Sequence, residues 1–280
     1  MLSYRHIYHA GNHADILKHL IVSQVCRHLV KKEAPFFYLD THAGIGQYSL
    51  SSEQAQKNKE FQSGISKLLT AKNLPEPLEH FVELINTLNP DGKLSIYPGS
   101  PKVVANYLRV KDKMHLCELH PNDYPILAEL FPHKRKVNVQ KTDGFAAVKA
   151  TLPPPQKRGF VLMDPPYEVK KDYQTVVQSL VDAHKRFATG TLAIWYPVLS
   201  RAQADNLIKA VADTKIRNIL LVELLIRDAE ADQGMNGSGM IIVNPPWTLK
   251  QEAEDYLPLL AQILGEDEQA CYQVNWITPE

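Results

Sequence analysis

Four apolar residues, Phe160-Val161-Leu162-Met163, run into Asp164-Pro165-Pro166-Tyr167, an acid and two prolines where a buried strand should end. Proline fixes φ and carries no N–H, so this turn is stiff and presents acceptors rather than donors. Such a turn suits an amine whose lone pair is delocalised into an aromatic ring. Asp164 can accept one amine hydrogen and the Pro165 carbonyl the other, which turns the lone pair toward an electrophilic methyl group. Tyr167 can stack on a base taken out of its duplex or loop, a contact worth about 1–3 kcal/mol. The pattern recurs as Asn244-Pro245-Pro246-Trp247 after the apolar Met240–Val243. Asparagine can accept from an amine too, so position has to separate the two. Asp164 ends the fourth strand of the pattern, next to the first in a doubly wound order. Asn244 follows late segments that read as a closing pair, so residues 244–247 are expected to be a structural turn.

Three other strand ends carry polar residues: Asp40-Thr41-His42-Ala43-Gly44, Glu118-Leu119-His120 and Thr142-Asp143-Gly144. A glycine loop after the first strand lets backbone approach a ligand closely. An acid after the second can accept from ribose hydroxyls, as in dinucleotide folds. An acid–glycine pair after the third can meet an adenine amino edge. The first loop has Gly44 and Gly46 but lacks the rest of the G-x-G-x-x-G pattern, with Ser at position 49. A pyrophosphate-bearing nicotinamide therefore fits less well than a phosphate-free nucleoside cofactor such as S-adenosylmethionine.

The elements that must hold these ends alternate. Helical spacing of Ile16, Leu17, Leu20, Ile21 and Val25 predicts an amphipathic helix over 14–31. Strands are expected at 35–40, 113–120, 136–144 and 158–166, then at "TLAIWYPV", "IRNILLVELLI", "SGMIIVNPP" and "CYQVNWI". Helices between apolar strands imply a mainly parallel sheet covered on both faces, with ligands beyond the C-terminal strand ends. Residues 45–95 are too long for a simple connection and read as a helical insertion subdomain inside one domain spanning 1–280.

Residues 1–33 hold five of the eleven histidines and read as a segment folding over the site. Tyr4 and His6 are candidate substrate contacts; Lys18 and His19 are candidates for the cofactor carboxylate. His9 and His13 have zinc-like spacing, but Gly11 and Asn12 suit a cap, and no metal is expected. No run of about 18 apolar residues and no signal-peptide core is present, so a cytoplasmic protein without a membrane span is expected. Its three cysteines are far apart and are expected to be reduced. The formal net charge is zero, but residues 228–280 hold ten acids and one lysine. The remainder is correspondingly positive, with basic clusters at Lys31-Lys32, Lys134-Arg135-Lys136, Lys170-Lys171 and Lys185-Arg186. A basic face of this kind can attract phosphates.

Taken together, "YRHIYHAGNHADILKH", "LDTHAG", "YPGSP", "ELHPNDYP", "DGF" and "DPPY" closely resemble the bacterial 23S ribosomal RNA adenine-N6 methyltransferase J family. The resemblance runs from Met1 to "WITPE". It implies an α/β, Rossmann-like S-adenosylmethionine-dependent methyltransferase fold with a small helical insertion. It also implies a monomer, with no obligate protein partner, acting on one adenine of protein-free 23S rRNA. On that resemblance His19, His42, Ser100, Glu118, Asp143, Gly144 and Asp164 surround the cofactor. Asp164 is the catalytic acceptor and Tyr4 a substrate contact. The same Asp-Pro-Pro-Tyr chemistry serves a DNA adenine-N6 methyltransferase, and a non-catalytic nucleic-acid-binding module with a retained fold is the alternative outside enzymes.

Overall fold

Phe37–Asp40 is buried on both faces, as a strand flanked by parallel neighbours and covered by helices must be. In the computed structural model, which describes residues 5–132, 135–231 and 234–280, this strand, β1, is central. It is followed by β2 (Gln47–Ser49), β3 (Ile96–Pro98), β4 (Lys113–Cys117), β5 (Val137–Gln140), β6 (Gly159–Met163), β7 (Thr191–Val198), β8 (Ile219–Leu225), β9 (Gly237–Val243) and β10 (Cys271–Thr278). Eight of these form one sheet in the order β10-β8-β9-β7-β6-β1-β4-β5. β1 pairs in parallel with both β4 and β6, placing Asp40 level with Leu116 and Leu162. The chain thus winds one way from β1 and then the other. That reversal creates a crevice at the C-terminal ends of β1, β4 and β6. This is the Rossmann-like order expected from the sequence.

The far end of the sheet turns over. β9 inserts between β7 and β8, antiparallel to both, and β10 is antiparallel to β8. The two Pro-Pro turns separate on this reversal. Val243 pairs with Leu192 at the start of β7, so Asn244 leaves the sheet at the edge opposite Asp164. There Asn244 adopts φ +50°, and its Nδ2 donates to the carbonyls of Ala188 (2.8 Å) and Gly190 (3.0 Å). Its side chain is committed to closing that turn.

Residues 45–95 supply β2, paired with β3, and the helices Glu53–Asn58, Glu60–Ser63, Ile65–Thr70 and Glu76–Leu88. The helix predicted at 14–31 spans His13–Val30, with Asn12 capping it by accepting from the amides of Ala14 and Asp15, worth about 1 kcal/mol. Its polar side is not a solvated one, however. Asp15, Lys18, His19, Ser23 and Gln24 are all buried along with the apolar residues, as happens when a helix is enclosed on every side. Each polar group then needs a partner: Ser23 meets the Tyr107 hydroxyl at 2.6 Å and the Tyr256 hydroxyl donates to Gln24 at 3.1 Å.

Replacing Asn244 by Ala removes two hydrogen bonds and leaves a Cβ residue at positive φ without its side-chain compensation. Urea denaturation should show a loss of about 1–3 kcal/mol, with ligand binding at the opposite edge unchanged.

Candidate active site

The C-terminal edge of the parallel strands opens into a cavity of about 950 Å³, of the size that takes a nucleoside-scale ligand. Thr41–Gly44, Glu118, Thr142–Phe145, Asp164–Val169 and the β7 end at Trp195 and Pro197 line it. His6, Lys18 and His19 close one side, and Tyr48, Glu60 and Ser63 bring the 45–95 segment to its wall.

On the β4 side, Glu118 is a latch between loops. One carboxylate oxygen accepts from the Gly44 amide at 2.8 Å and the other from the His120 amide at 2.7 Å. Burial nevertheless raises its pKa, against those two hydrogen bonds. Gly44 makes this approach at φ +60°, where a Cβ would lie 2.5 Å from the Tyr48 hydroxyl. Asp143 caps the helix Gly144–Thr151 through one oxygen, accepting from Phe145 at 2.8 Å and Ala146 at 3.3 Å. Gly144 is required by packing: a Cβ there would fall 1.9 Å from the Thr41 carbonyl oxygen. Ser100, at the start of the helix Ser100–Ala105, donates to Asp40 at 2.7 Å, as does the Tyr38 hydroxyl. Asp40 is fully buried, and that burial pushes its carboxyl up to about 6 despite the hydrogen bonds from Ser100 and Tyr38. His42 packs edge-on against Phe145, ring centres 5.0 Å apart, and burial takes it down to about 4, so it is a neutral ring near neutral pH.

The β6 side is organised around Asp164. Lys18 donates to its Oδ2 at 2.8 Å and to Asp15 at 3.1 Å, while its ammonium sits 5.2 Å from the Trp195 ring centre. Oδ1 of Asp164 has no protein partner among the described residues. Asp15, absent from the candidates read from sequence, is the hub. Burial would raise its carboxyl, but His6, Lys18 and His19 outweigh that and hold it well below the usual carboxylate range. His6 lies 2.9 Å from both Asp15 oxygens, and Asp15 also accepts from the Gly11 amide. His19 meets the Tyr97 hydroxyl at 3.0 Å, and burial lowers it to about 3.

Three candidates sit differently from their expected roles. Lys18 is held by two carboxylates rather than pointing to a third, because a buried ammonium needs acid partners. His6 is turned inward onto Asp15. Tyr167 is only 7% exposed: φ +54° folds its ring inward, its hydroxyl donates to the Trp195 carbonyl at 2.6 Å, and Tyr173 packs 4.5 Å away. It walls the cavity rather than offering an open stacking face. Tyr4 lies outside the described residues, as does Lys134 of the basic clusters. The site also includes Trp195, whose buried Nε1 has no hydrogen-bond partner among the described residues.

This geometry coincides with a clear kinship. Residues 33–278 match the family described as Ribosomal RNA large subunit methyltransferase D, RlmJ. The chain belongs to this family. It is 48% identical to the Ribosomal RNA large subunit methyltransferase J of Haemophilus influenzae and 46% identical to that of Escherichia coli K12, each over 100% of both chains. A crystal structure of a Legionella pneumophila protein, 34% identical, superposes with a TM-score of 0.88 over 96% of this chain and 98% of that one. These full-length matches cover the histidine-rich segment ahead of residue 33 as well.

What sequence reading missed in this family's site was visible in part. Asp15 stands three and four residues before Lys18 and His19, so all three share a helix face; its tie to His6 needed the fold. Asp40 titrates in a useful range. Its folded-state pKa of about 6 lies above the ordinary 3.8, so its contribution to stability is complete below about pH 4 and is lost as pH rises through 6. Relative to Asp40→Asn, the wild type should therefore lose about 2 kcal/mol between pH 4 and pH 7, read from urea unfolding of both proteins.

Proposed function

We infer that this protein transfers a methyl group from S-adenosylmethionine to the N6 amine of an adenine in 23S rRNA. The observation that carries the reading is Asp164, placed by β6 in a stiff Asp-Pro-Pro-Tyr turn on the same cavity as Glu118 and Asp143. The cavity's polar groups suit such a cofactor: acceptors at Glu118 and Asp143, and the buried Nε1 of Trp195 and Nε2 of His13 without protein partners among the described residues. When bound, S-adenosylmethionine supplies an electrophilic methyl group on a sulfonium. Glu118 would meet the ribose hydroxyls and Asp143 the adenine edge of that cofactor.

The protein's own contribution is positioning. Lys18 fixes one oxygen of Asp164 and so orients the carboxylate. Oδ1 then accepts one hydrogen of the substrate amine, and the Pro165 carbonyl is available for the other. Held by both, the amine presents its lone pair rather than an N–H. Proximity and exclusion of water contribute the rest of the rate. The same reading takes the protein as a monomer acting in the cytoplasm on protein-free rRNA, with residues 1–33 covering the site and 45–95 as an insertion subdomain.

The test is methyl transfer from labelled cofactor to protein-free 23S rRNA lacking its own modifications, with nucleoside analysis of the product and DNA as a parallel substrate. Wild type should yield N6-methyladenosine, and Asp164→Ala should fall by about 100-fold or more while still binding cofactor. A fully active Asp164→Ala would refute the role of this turn. Transfer to DNA alone would refute the substrate.

A further inference from the structure

The loops that lead into the parallel strands all lie on one edge of the sheet, opposite the cavity, and they are the most basic part of the sequence. In spatial order they bring Lys215 and Arg217 ahead of β8, Lys185 and Arg186 ahead of β7, and Lys157 and Arg158 ahead of β6. Lys31 and Lys32 then precede β1, Arg109, Lys111 and Lys113 lead into β4, and Arg135 and Lys136 lead into β5. Contacts confirm the adjacency. Arg109 donates to the carbonyls of Lys32 and Ala34, Arg158 also reaches Ala34, and Lys136 reaches Leu108. The carbonyl bonds orient Arg158 and Lys136 without neutralising them, whereas Arg109 is also paired with Asp112. The acids around it are fewer than the cations: Asp112 is buried against Arg109, Asp213 stands 3.9 Å from Lys215, and Glu33 and Glu280 are exposed. Glu76 pairs with Arg27 and acts on Lys31, Asp182 pairs with Lys149 near Arg186, and Glu252 lies near His28. The field is felt locally. His28, at the end of the helix leading into β1, is lowered by burial and then by Lys31, Arg158 and Lys32, with Glu252 opposing them.

Within this row stands Trp247, 83% exposed, in the turn that Asn244 closes. The cavity edge is different in character, with Glu118, Asp143, Asp164, Glu168 and Asp172 among its lining. Six strand intervals separate β8 from β5. At about 4.8 Å each the row extends roughly 29 Å, close to one turn of a duplex.

We propose that this basic edge is a second RNA-binding face, which grips the phosphate backbone of the substrate RNA away from the adenine being methylated. The inference rests on RNA being the substrate. Eight-residue β7 separates the two edges by roughly 26 Å, so one folded RNA domain can contact both while a few nucleotides at the cavity cannot. Phosphate contacts supply affinity and salt dependence without sequence information.

The test uses a variant with Lys31, Lys111, Lys157 and Lys185 all changed to Gln. All four are exposed and lie far from the cavity, so cofactor binding should be unchanged. Binding of protein-free 23S rRNA is measured across a salt series, together with KM and kcat for methyl transfer. The variant should bind about tenfold or more weakly, with a salt slope smaller by about 3, a raised KM and an unchanged kcat. If wild type methylates the RNA and the variant matches it in Kd, slope and KM, the proposal is overturned. Loss of binding to vesicles of anionic phospholipid, with RNA binding intact, would overturn it in favour of a membrane surface. If wild type binds RNA through these lysines but transfers no methyl to it, the basic edge stands and the assigned reaction falls.

Discussion

A single buried ammonium holds the active edge together. Lys18 lies between Asp15 on its own helix and Asp164 at the end of β6, joining segments 146 residues apart in sequence. Taking three charges out of water is unfavourable, and mutual attraction offsets it only when geometry is good and remaining lone pairs are bonded. Here His6 and the Gly11 amide complete Asp15, and the Trp195 ring lies beside the ammonium. What remains without a partner among the described residues is Oδ1 of Asp164, on the wall of the cavity. The ion cluster thus fixes the position of the Asp164 turn and the docking of the histidine-rich segment at once.

The sheet converts this local cluster into a site. Because β4, β1 and β6 are parallel, Glu118, the first loop and Asp164 must emerge together, and the same rule gathers the preceding loops at the other edge. Charge follows that division, with carboxylates where ligand atoms must be oriented and cations where phosphates can be held. A formal net charge of zero conceals both.

Much of this was legible in the residues. Continuous apolar runs flanked by helices gave a parallel sheet, and an acid at each strand end gave the cavity wall. The Asp-Pro-Pro-Tyr and Asn-Pro-Pro-Trp turns could be told apart only by position, and the deciding fact, β9 running antiparallel between β7 and β8, is a long-range pairing that no local pattern encodes. The polar residues of the helix His13–Val30 were misleading for the same reason. Helical spacing marks which residues share a face, but not whether that face meets solvent or an enclosed network. Asp15 was hidden because its partners come from an earlier turn, its own helix and, through Lys18, a distant strand. Tyr167 was read as an open platform because an aromatic after Pro-Pro suggests one, whereas its left-handed backbone sends the ring under β7.

Gly144 has a consequence for tracing kinship. Its hydrogen stands where any larger group would collide with the Thr41 carbonyl, so the loop after β1 and the helix after β5 touch backbone to backbone beneath the cavity. That demand belongs to assembly of the crevice and persists whatever occupies it. A descendant that abandoned methyl transfer but kept its shape would still retain this glycine. In such a lineage Gly144 would testify to ancestry, while Asp164 could change only together with its buried partner Lys18.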